Sequence, residues 1–443
     1  MFNNIIVALA TPPMEGALAI IRVSGENCFS LLRKIFSNKT QYEGHKLYYG
    51  KIKDEEEILD EVLVSTFKKP HSFTGEDSFE ISCHGGMFIV ERVIALCLKH
   101  GAKLATKGEF TKRAFLNNKI DLIQAEAIND MIRATSEEEA SLAVYSLQGQ
   151  TSNMINRLKD KIIDLVANIE VNIDYPEYDD AEEVTKEIAS KKIKDIISDT
   201  TQLLKEARIG KMIKDGLNVA IVGQPNVGKS SLLNTLLKED KAIVTSEAGT
   251  TRDIVEGVIN LDGLKLNLLD TAGIRKEAGS IERIGIEKSK ETIEKADLVL
   301  LLFDGSQPLD DLDKELIKLT KDKNHIKVIN KTDLGLKIEI EGVKISTYTK
   351  DIDNLLKAIK DKVGYNYENY QNKPMLTNIR HIGLLKAALE NLKEAEKEIQ
   401  EDIPVDLVNI EIMNALNNIE DILGNKTKMD LHDQIFSKFC LGK

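Results

Sequence analysis

The hydrophobic pattern changes character twice along the 443-residue chain. Residues 1 to about 117 contain short β-type runs, among them IIVALA, ALAIIRVS, EVLVSTF and SFEISCHGG, divided by turns rich in Gly, Pro and Asn. Short apolar runs between turn residues predict strands, and this block reads as an α/β or α+β domain. From about residue 118 the apolar spacing becomes helical. Ile155, Leu158, Ile162, Leu165, Ile169 and Ile173 recur at intervals of three and four, which stacks them on one helix face. A second set follows at Ile193, Ile197, Thr200, Leu204 and Ala207. No proline falls between Pro70 and Pro176, so little interrupts the first of these helices.

The helical period breaks at Lys214-Asp215-Gly216, and strand-like runs then alternate with helical stretches to about residue 370. That alternation predicts a parallel sheet built from βα units. Beyond Pro374 helical spacing returns in Ile382, Leu385, Leu389 and Leu392, and again in Val408, Ile412, Ala415, Ile419 and Leu423. Two helical blocks thus flank an α/β block. The economical organisation is an N-terminal domain over 1–117 and a helical domain over 118–213 and 374–443, with an α/β domain over 214–373 inserted in it.

Composition narrows the class. Hydrophobic residues make up 42% and charged residues 30%, as in globular rather than disordered or membrane chains. No apolar run approaches bilayer-spanning length. The N-terminus, MFNNIIVALATPP, has no basic region ahead of its apolar stretch, which argues against a secretory signal and for a cytoplasmic location. Of four cysteines, no two have C-x-x-C spacing; Cys28, Cys83 and Cys97 read as reduced, mostly buried thiols.

The net charge of −12 excludes coating of nucleic acid by bulk positive charge. The acid excess is unevenly spread: residues 1–117 carry 15 basic and 14 acidic side chains, residues 216–370 carry 23 and 26, and the helical remainder 22 and 32. Part of it lies in EYDDAEEV, 177–184, which reads as a solvated loop opening a helix, where carboxylates suit the N-terminal dipole.

The strongest chemical signal is GQPNVGKSS, 223–231, between the apolar run LNVAIVG and the helical stretch SLLNTLL. It satisfies G-x-x-x-x-G-K-[ST], in which a curled backbone turns N–H groups toward phosphate and the helix N-terminus adds a favourable dipole. Lys229 then reaches the β- and γ-phosphates and Ser230 ligates magnesium, with Asn226, Val227, Gly228 and Ser231 lining the same loop. The next element is DTAG, 270–273, where Asp270 can hold the magnesium shell and the Gly273 N–H can meet the γ-phosphate, with Thr271 and Ala272 between them. The third is NKTD, with Asn330, Lys331 and Asp333. The Asp333 carboxylate can accept from N1–H and the exocyclic amine of guanine, a donor pair that adenine lacks. Such sites reject the analogue by about four to five orders of magnitude, so the element selects GTP over ATP.

Between the first two elements lies TSEAGTTRD, 245–253, in the place of a mobile switch loop. Thr251 is expected on magnesium there, and Thr245, Ser246, Glu247, Ala248, Gly249 and Thr250 on the nucleotide. Ser346-Thr347-Tyr348 stands where such proteins usually have Ser-Ala-Lys, and marks only a location. After DTAG comes Ile274, where many GTPases place a Gln to orient the attacking water. An Ile side chain cannot hydrogen-bond, so water positioning and positive charge must come from elsewhere. Arg252, Arg275, Glu282 and Arg283 are within reach in sequence, and a monovalent cation held by Asn226 and switch-loop carbonyls is a further source of charge.

NVGKSS, AGTTRD, DTAGIR and ERIGIE in an inserted domain, SFTGEDSFEISCHGG and GEFTKRAFLNNKIDLIQAEAI before it, and FCLGK at the end give the chain a specific likeness. It resembles the tRNA modification GTPases of the MnmE, or TrmE, family from ATPP near residue 11 to Lys443. The resemblance implies an N-terminal α+β folate-binding and dimerisation domain, an α-helical domain, and a Ras-like P-loop GTPase domain inserted in the latter. It also implies a homodimer that works with the flavoprotein MnmG, the carrier of FAD and NADH. Together they form 5-carboxymethylaminomethyl or aminomethyl uridine at the tRNA wobble position, using a 5-formyl or methylene tetrahydrofolate. The GTPase domains are implied to dimerise in a potassium-dependent way.

Carried over by motif, Asn226, Thr245, Glu247 through its backbone, and Thr250 would surround potassium, and Glu282 would position water. Arg22, Glu80, Lys119 and Lys443 would contact folate. Cys440, in a Cys-x-Gly-Lys with Leu441 where Ile is frequent, would lie near the modification chemistry. Each has a plainer alternative: an edge charge for Arg22, a surface carboxylate for Glu80, a solvated residue before a helix for Lys119, a helix ion pair for Glu282 and a frayed tail for Cys440. Arg252 and Arg275 read as switch-stabilising. Two rival readings are a ribosome-assembly GTPase, which should carry an RNA-binding module such as a KH domain, and a signalling GTPase that modifies nothing. No GXXG loop stands in a suitable context for the first, and the N-terminal block and FCLGK tail argue against the second.

Overall fold

A computed structural model of the protein describes residues 4–174, 186–238, 255–269, 290–365, 373–425, 435–439 and 442. The chain forms two compact units, one of residues Met1–Arg133, Ala143–Thr200 and Gly383–Lys443, the other of Ala134–Leu142 and Thr201–Ile382.

The first unit contains a six-stranded sheet in the order β3-β4-β5-β2-β1-β6. Its strands are β1 (Ile6–Leu9), β2 (Gly16–Ser24), β3 (Lys46–Asp54), β4 (Glu57–Phe67), β5 (Ser78–Gly85) and β6 (Lys103–Leu104). Neighbours pair antiparallel except β1 with β6. Alternation decides the faces. Ala19, Ile21 and Val23 of β2 and Phe79, Ile81 and Cys83 of β5 are buried in one core with helices α1 (Cys28–Ile35) and α2 (Met87–Lys99). The residues between them point the other way, and that face shows Leu18, Leu47, Tyr49 and Leu63 at 41–68% exposure. Burial pushes the thiols of Cys28, Cys83 and Cys97 up, to about 11 at Cys83 and about 12 at Cys97, so these free cysteines stay protonated and inert.

Helices α3 (Glu109–Leu116) and α4 (Leu122–Arg133) follow, then α5 (Glu137–Leu147), α6 (Gln150–Asp174) and α7 (Lys186–Asp215). In α6 the apolar stripe Ile155, Leu158, Ile162, Leu165 and Ile169 is buried, as the spacing predicts. In α7 the buried line runs through Ile193, Ile196 and Thr200, and Ile197 is only half-buried. A 3.6-residue period lets either i+3 or i+4 face the core, and packing chose the former.

The second unit is an α/β sheet in the order β12-β11-β10-β7-β9-β8. It comprises β7 (Leu217–Gly223), β8 (Val255–Leu261), β9 (Leu264–Leu269), β10 (Leu298–Asp304), β11 (His325–Asn330) and β12 (Val343–Lys344), and only β8 pairs antiparallel among the described residues. The run LVLLLF of β10 is buried on both faces. Leu298, Leu300 and Leu302 join a core with α8 (Lys229–Lys238), and Val299, Leu301 and Phe303 join one with α9 (Asp311–Thr320). α10 (Asp353–Val363) buries Leu355 and Ile359 in the first of these cores. α11 (Ile379–Gln400) and α12 (Val405–Leu423) follow, and α12 packs on α6 through Val408, Ile412, Ala415 and Ile419. Among the described residues no helix is long and apolar enough to cross a membrane.

Candidate functional sites

The glycine-rich loop leaves the C-terminal end of β7 and enters α8 at Lys229. That is the edge where open α/β sheets hold ligands. Asn226 adopts φ 66° and Gly228 φ 102°, so successive peptide groups curl inward. Gly228 is sterically required, because a Cβ there would fall 2.2 Å from Asn330 Nδ2. The Lys229 ammonium donates to two carbonyls of its own loop, Gly223 O at 2.8 Å and Gln224 O at 2.6 Å. Burial pushes its pKa down, and neutral carbonyls leave its positive charge uncompensated. A phosphate would supply the missing charge. Ser230 and Ser231 follow in the first turn of α8, the anion-favouring end of the helix.

The NKTD element follows β11 and is wired to that loop. Asn330, fully buried, donates from Nδ2 to Val227 O at 2.9 Å and to Thr347 Oγ1 at 3.2 Å, and its Oδ1 accepts from the Thr347 N–H at 3.1 Å. One side chain therefore joins three loops. Asp333 Oδ1 accepts from Ser346 Oγ at 2.6 Å, which fixes the carboxylate and leaves Oδ2 for a ligand donor. Lys331 sits at φ 61° with its Nζ 2.6 Å from Asp304 Oδ2, and Ser306 donates to Asp304 Oδ1 from both N and Oγ. Burial of Asp304 opposes ionisation, but the Lys331 and Ser306 hydrogen bonds outweigh it and hold the carboxyl below its usual range. Sequence reasoning missed Asp304 and undervalued Ser346. The available signal was a lone Asp closing a buried strand and a hydroxyl following VKI.

A second cluster lies on the other sheet face of the first unit, where Ala8 and Phe110 are buried. Arg22 and Glu80 are register partners across β2 and β5, with Arg22 Nε 2.8 Å from Glu80 Oε1. The Arg22 guanidinium lies 5.7 Å from the ring centres of Phe73 and Phe110, and its Nη1 donates to Gly442 O at 3.1 Å. The chain's end is brought to this cluster by Phe436 and Phe439, buried with Leu122 and Ala125. Lys119 does not contact Arg22. It donates to Pro70 O at 2.9 Å, in the loop that carries Phe73. Beneath that loop, fully buried Arg113 bonds Glu76, Glu109 and the Asn4 carbonyl, and Glu76 accepts from Ser24. Phe73, Phe110 and Arg113 were not singled out from sequence, since each looks like an ordinary core or loop residue there.

Several expected positions lie outside the described residues: Thr245, Ser246, Glu247, Ala248, Gly249, Thr250 and Thr251; Asp270, Thr271, Ala272 and Gly273; Glu282; Cys440 and Lys443; and the acidic run 177–184.

The family model for the GTP-binding protein TrmE N-terminus matches residues 5–119, and that for the MnmE helical domain matches residues 122–440. The chain is 44% identical over 99% of its length to the tRNA modification GTPase MnmE of Streptococcus sanguinis, 98% of which is covered. To that of Ligilactobacillus salivarius it is 45% identical, over 99% of this chain and 98% of the relative. Among solved structures, a variant of Era from Aquifex aeolicus bound to GDP and AlF4− is similar at 28% identity over 40% of this chain and 66% of that one, with a TM-score of 0.27. With a glycine-rich loop wired to the NKTD loop and family models covering both the N-terminal and the helical region, the chain belongs to the MnmE, or TrmE, family of tRNA modification GTPases.

Proposed function

We propose that the protein hydrolyses GTP and uses the turnover to drive wobble-uridine modification of tRNA, forming the 5-carboxymethylaminomethyl or aminomethyl group with a flavoprotein partner of the MnmG type. The observation that carries the GTP half is the Asn330 bridge between the phosphate loop and the base-reading loop, with Asp333 held open to a donor pair. Guanine would donate N1–H and its amine to Asp333. The triphosphate would draw Lys229 off the loop carbonyls that now hold it.

Magnesium would be held by Ser230, Thr251 and the Asp270 shell, and would neutralise charge on the β- and γ-phosphates. Ser230 fits, standing directly after Lys229 at the start of α8. Potassium would be held by Asn226, Thr245, the Glu247 backbone and Thr250, and Glu282 would orient the attacking water.

The folate half rests on the donor set of the second cluster. Only one oxygen of Glu80 is taken by Arg22, so the other can accept from the N–H edge of a pterin, and Phe73 and Phe110 offer aromatic faces. Lys119 and Lys443 would serve the carboxylates of the folate tail. The bound folate would supply the one-carbon unit, while FAD and NADH on the partner supply the redox chemistry; Cys440 belongs at this end of the chain. The apolar open sheet face, with Leu18, Leu47, Tyr49 and Leu63, supports a homodimer built through the N-terminal domain. The acid-rich helical domain would dock the partner, which would carry much of the basic surface that holds tRNA. The absence of a bilayer-spanning run among the described helices fits a cytoplasmic setting.

Mass spectrometry of wobble uridines in bulk tRNA from a deletion strain tests the central reading. The modified nucleoside should disappear and return with the wild-type gene but not with Asp270→Ala; an unchanged profile in the deletion strain ends the proposal. GTP hydrolysis should be much faster in potassium than in sodium, and equal rates would remove the potassium site.

A further inference from the structure

The hairpin formed by β8 and β9 spans Val255–Leu261 and Leu264–Leu269. In sequence it begins two residues after the end of the TSEAGTTRD stretch and ends one residue before Asp270. Both nucleotide-facing segments of the proposed cycle are therefore tied to one short two-stranded element. Its far end, the turn Asp262-Gly263, is held from two directions. From the end of α10, Lys360 pairs with the Asp262 carboxylate, and Tyr365 Oη donates to Asp262 O at 3.0 Å. From the other side comes segment 134–142, which lies among the helical stretches in sequence and yet belongs to the α/β unit in space.

That contact is specific. Gly263, at φ 85°, leaves room for Glu138 Cγ and Tyr365 Oη, each 2.9 Å from where a Cβ would stand. Lys265 Nζ lies 3.5 Å from Glu139 Oε1, and the Glu139 side chain is only 9% exposed. The same carboxylate accepts from the Thr135 N–H at 2.8 Å, and the Glu139 N–H donates to Ser136 Oγ at 3.1 Å, so it also closes the first turn of α5. Three residues further on, Leu142 is buried in the core that holds Leu261, Leu264 and Leu266 of the hairpin. Segment 134–142 is continuous at one end with α4 and at the other with the rest of α5.

We propose that Lys265 and Glu139 are positioning residues that lock segment 134–142 to the hairpin tip. Through this lock a nucleotide-driven shift of the hairpin is handed to the α4–α5 connection. A hairpin displaced along its axis must either lose the ion pair or carry Glu139 with it, and a carried Glu139 pulls on the Thr135 N–H and the first turn of α5 that it holds. The lock rests on the reading that GTP turnover is coupled to tRNA modification, and it adds where the coupling leaves the GTPase domain.

The test uses the full-length chain with its flavoprotein partner and compares wild type, Lys265→Glu, Glu139→Lys and the double exchange. Each single reversal should keep kcat and KM for GTP within about twofold and lower wobble modification by about tenfold, a size typical of coupling between sites. The double exchange restores the ion pair but not the carboxylate's bond to the Thr135 N–H, so it should raise modification at least about threefold above either single reversal, which mere structural damage would not do. Amide exchange of the peptide covering 134–142, read with GDP alone and with GDP plus aluminium fluoride, should differ in wild type and not in either reversal. Normal modification in both singles, or a double exchange no better than its parts, overturns the lock. Loss of modification in the wild-type control would instead overturn the tRNA reading, and the exchange measurement would still decide the lock.

Discussion

The two six-stranded sheets solve the placement of a site in opposite ways. In the α/β unit β10 is buried on both faces through Phe303, so the middle of that strand is given over to the two cores. The residues expected at the nucleotide, Lys229, Asn330 and Asp333, gather beyond or at the C-terminal ends of β7 and β11. In the N-terminal unit one face is covered by α1 and α2 and the other only in part, and Arg22 and Glu80 stand on the strands of that second face. A loop site is written as consecutive letters, because neighbouring residues share the task. A sheet-face site is written at distant positions that meet only through register.

The comparison can be broken first at the base-reading loop, where the effect should be largest. Asp333→Asn turns one acceptor oxygen into a donor facing the guanine donors, and kcat/KM for GTP should fall by about four orders of magnitude. Xanthosine triphosphate should become the better substrate. Steady-state kinetics with both nucleotides checks this, and unchanged GTP turnover would show that the loop does not read the base.

The sheet-face cluster should respond separately. Arg22→Met removes the guanidinium from Glu80 and from the Gly442 carbonyl. At about 1.5–3 kcal/mol for each hydrogen bond to a charged group, affinity for 5-formyltetrahydrofolate should fall at least tenfold, as read by equilibrium dialysis. GTP hydrolysis should not change; a parallel loss of both would mean the two sites are not independent.

The smallest effect is expected from Lys331→Met, which strips Asp304 of its ammonium partner. The unfolding midpoint should drop by about 2–4 °C at pH 7. Asp304 has a depressed folded-state pKa, so its contribution is complete above the unfolded value of about 3.9 and is lost as pH falls through the lower folded value. The gap between variant and wild type should therefore close as the pH is taken down through that range. A gap constant with pH would assign Lys331 a packing role alone.

Much of the α/β unit was legible in the sequence because its signals are local. LNVAIVG, GQPNVGKSS and SLLNTLL state strand, loop and helix in one unbroken stretch, and NKTD follows its strand directly. What stayed hidden there were the supports. Ser346 lies 13 residues from Asp333 and Asp304 lies 27 from Lys331, and no spacing rule links such pairs. In the N-terminal unit the alternation of β2 and β5 was readable, but Arg22 and Glu80 are 58 residues apart and Arg22 and Gly442 are 420 apart. Arg22 and Glu80 were singled out as expected folate contacts by resemblance to a family and not by pattern. Arg113 illustrates the limit further: Lys112-Arg113 looks like a solvated pair, yet Arg113 is fully buried among carboxylates.

By itself the sequence determined the element types, most of the helical stripes and the places of the glycine-rich and NKTD loops, since hydrophobic period and backbone-curling glycines act over a few residues. Tertiary structure alone decided that Ile196 and not Ile197 faces the core, that Asn330 ties three loops together, that the chain's end reaches Arg22, and that residues 134–142 pack on the β8–β9 hairpin. These depend on which distant surfaces exclude water together and on which buried polar groups must find partners, and neither condition is met until the chain has folded.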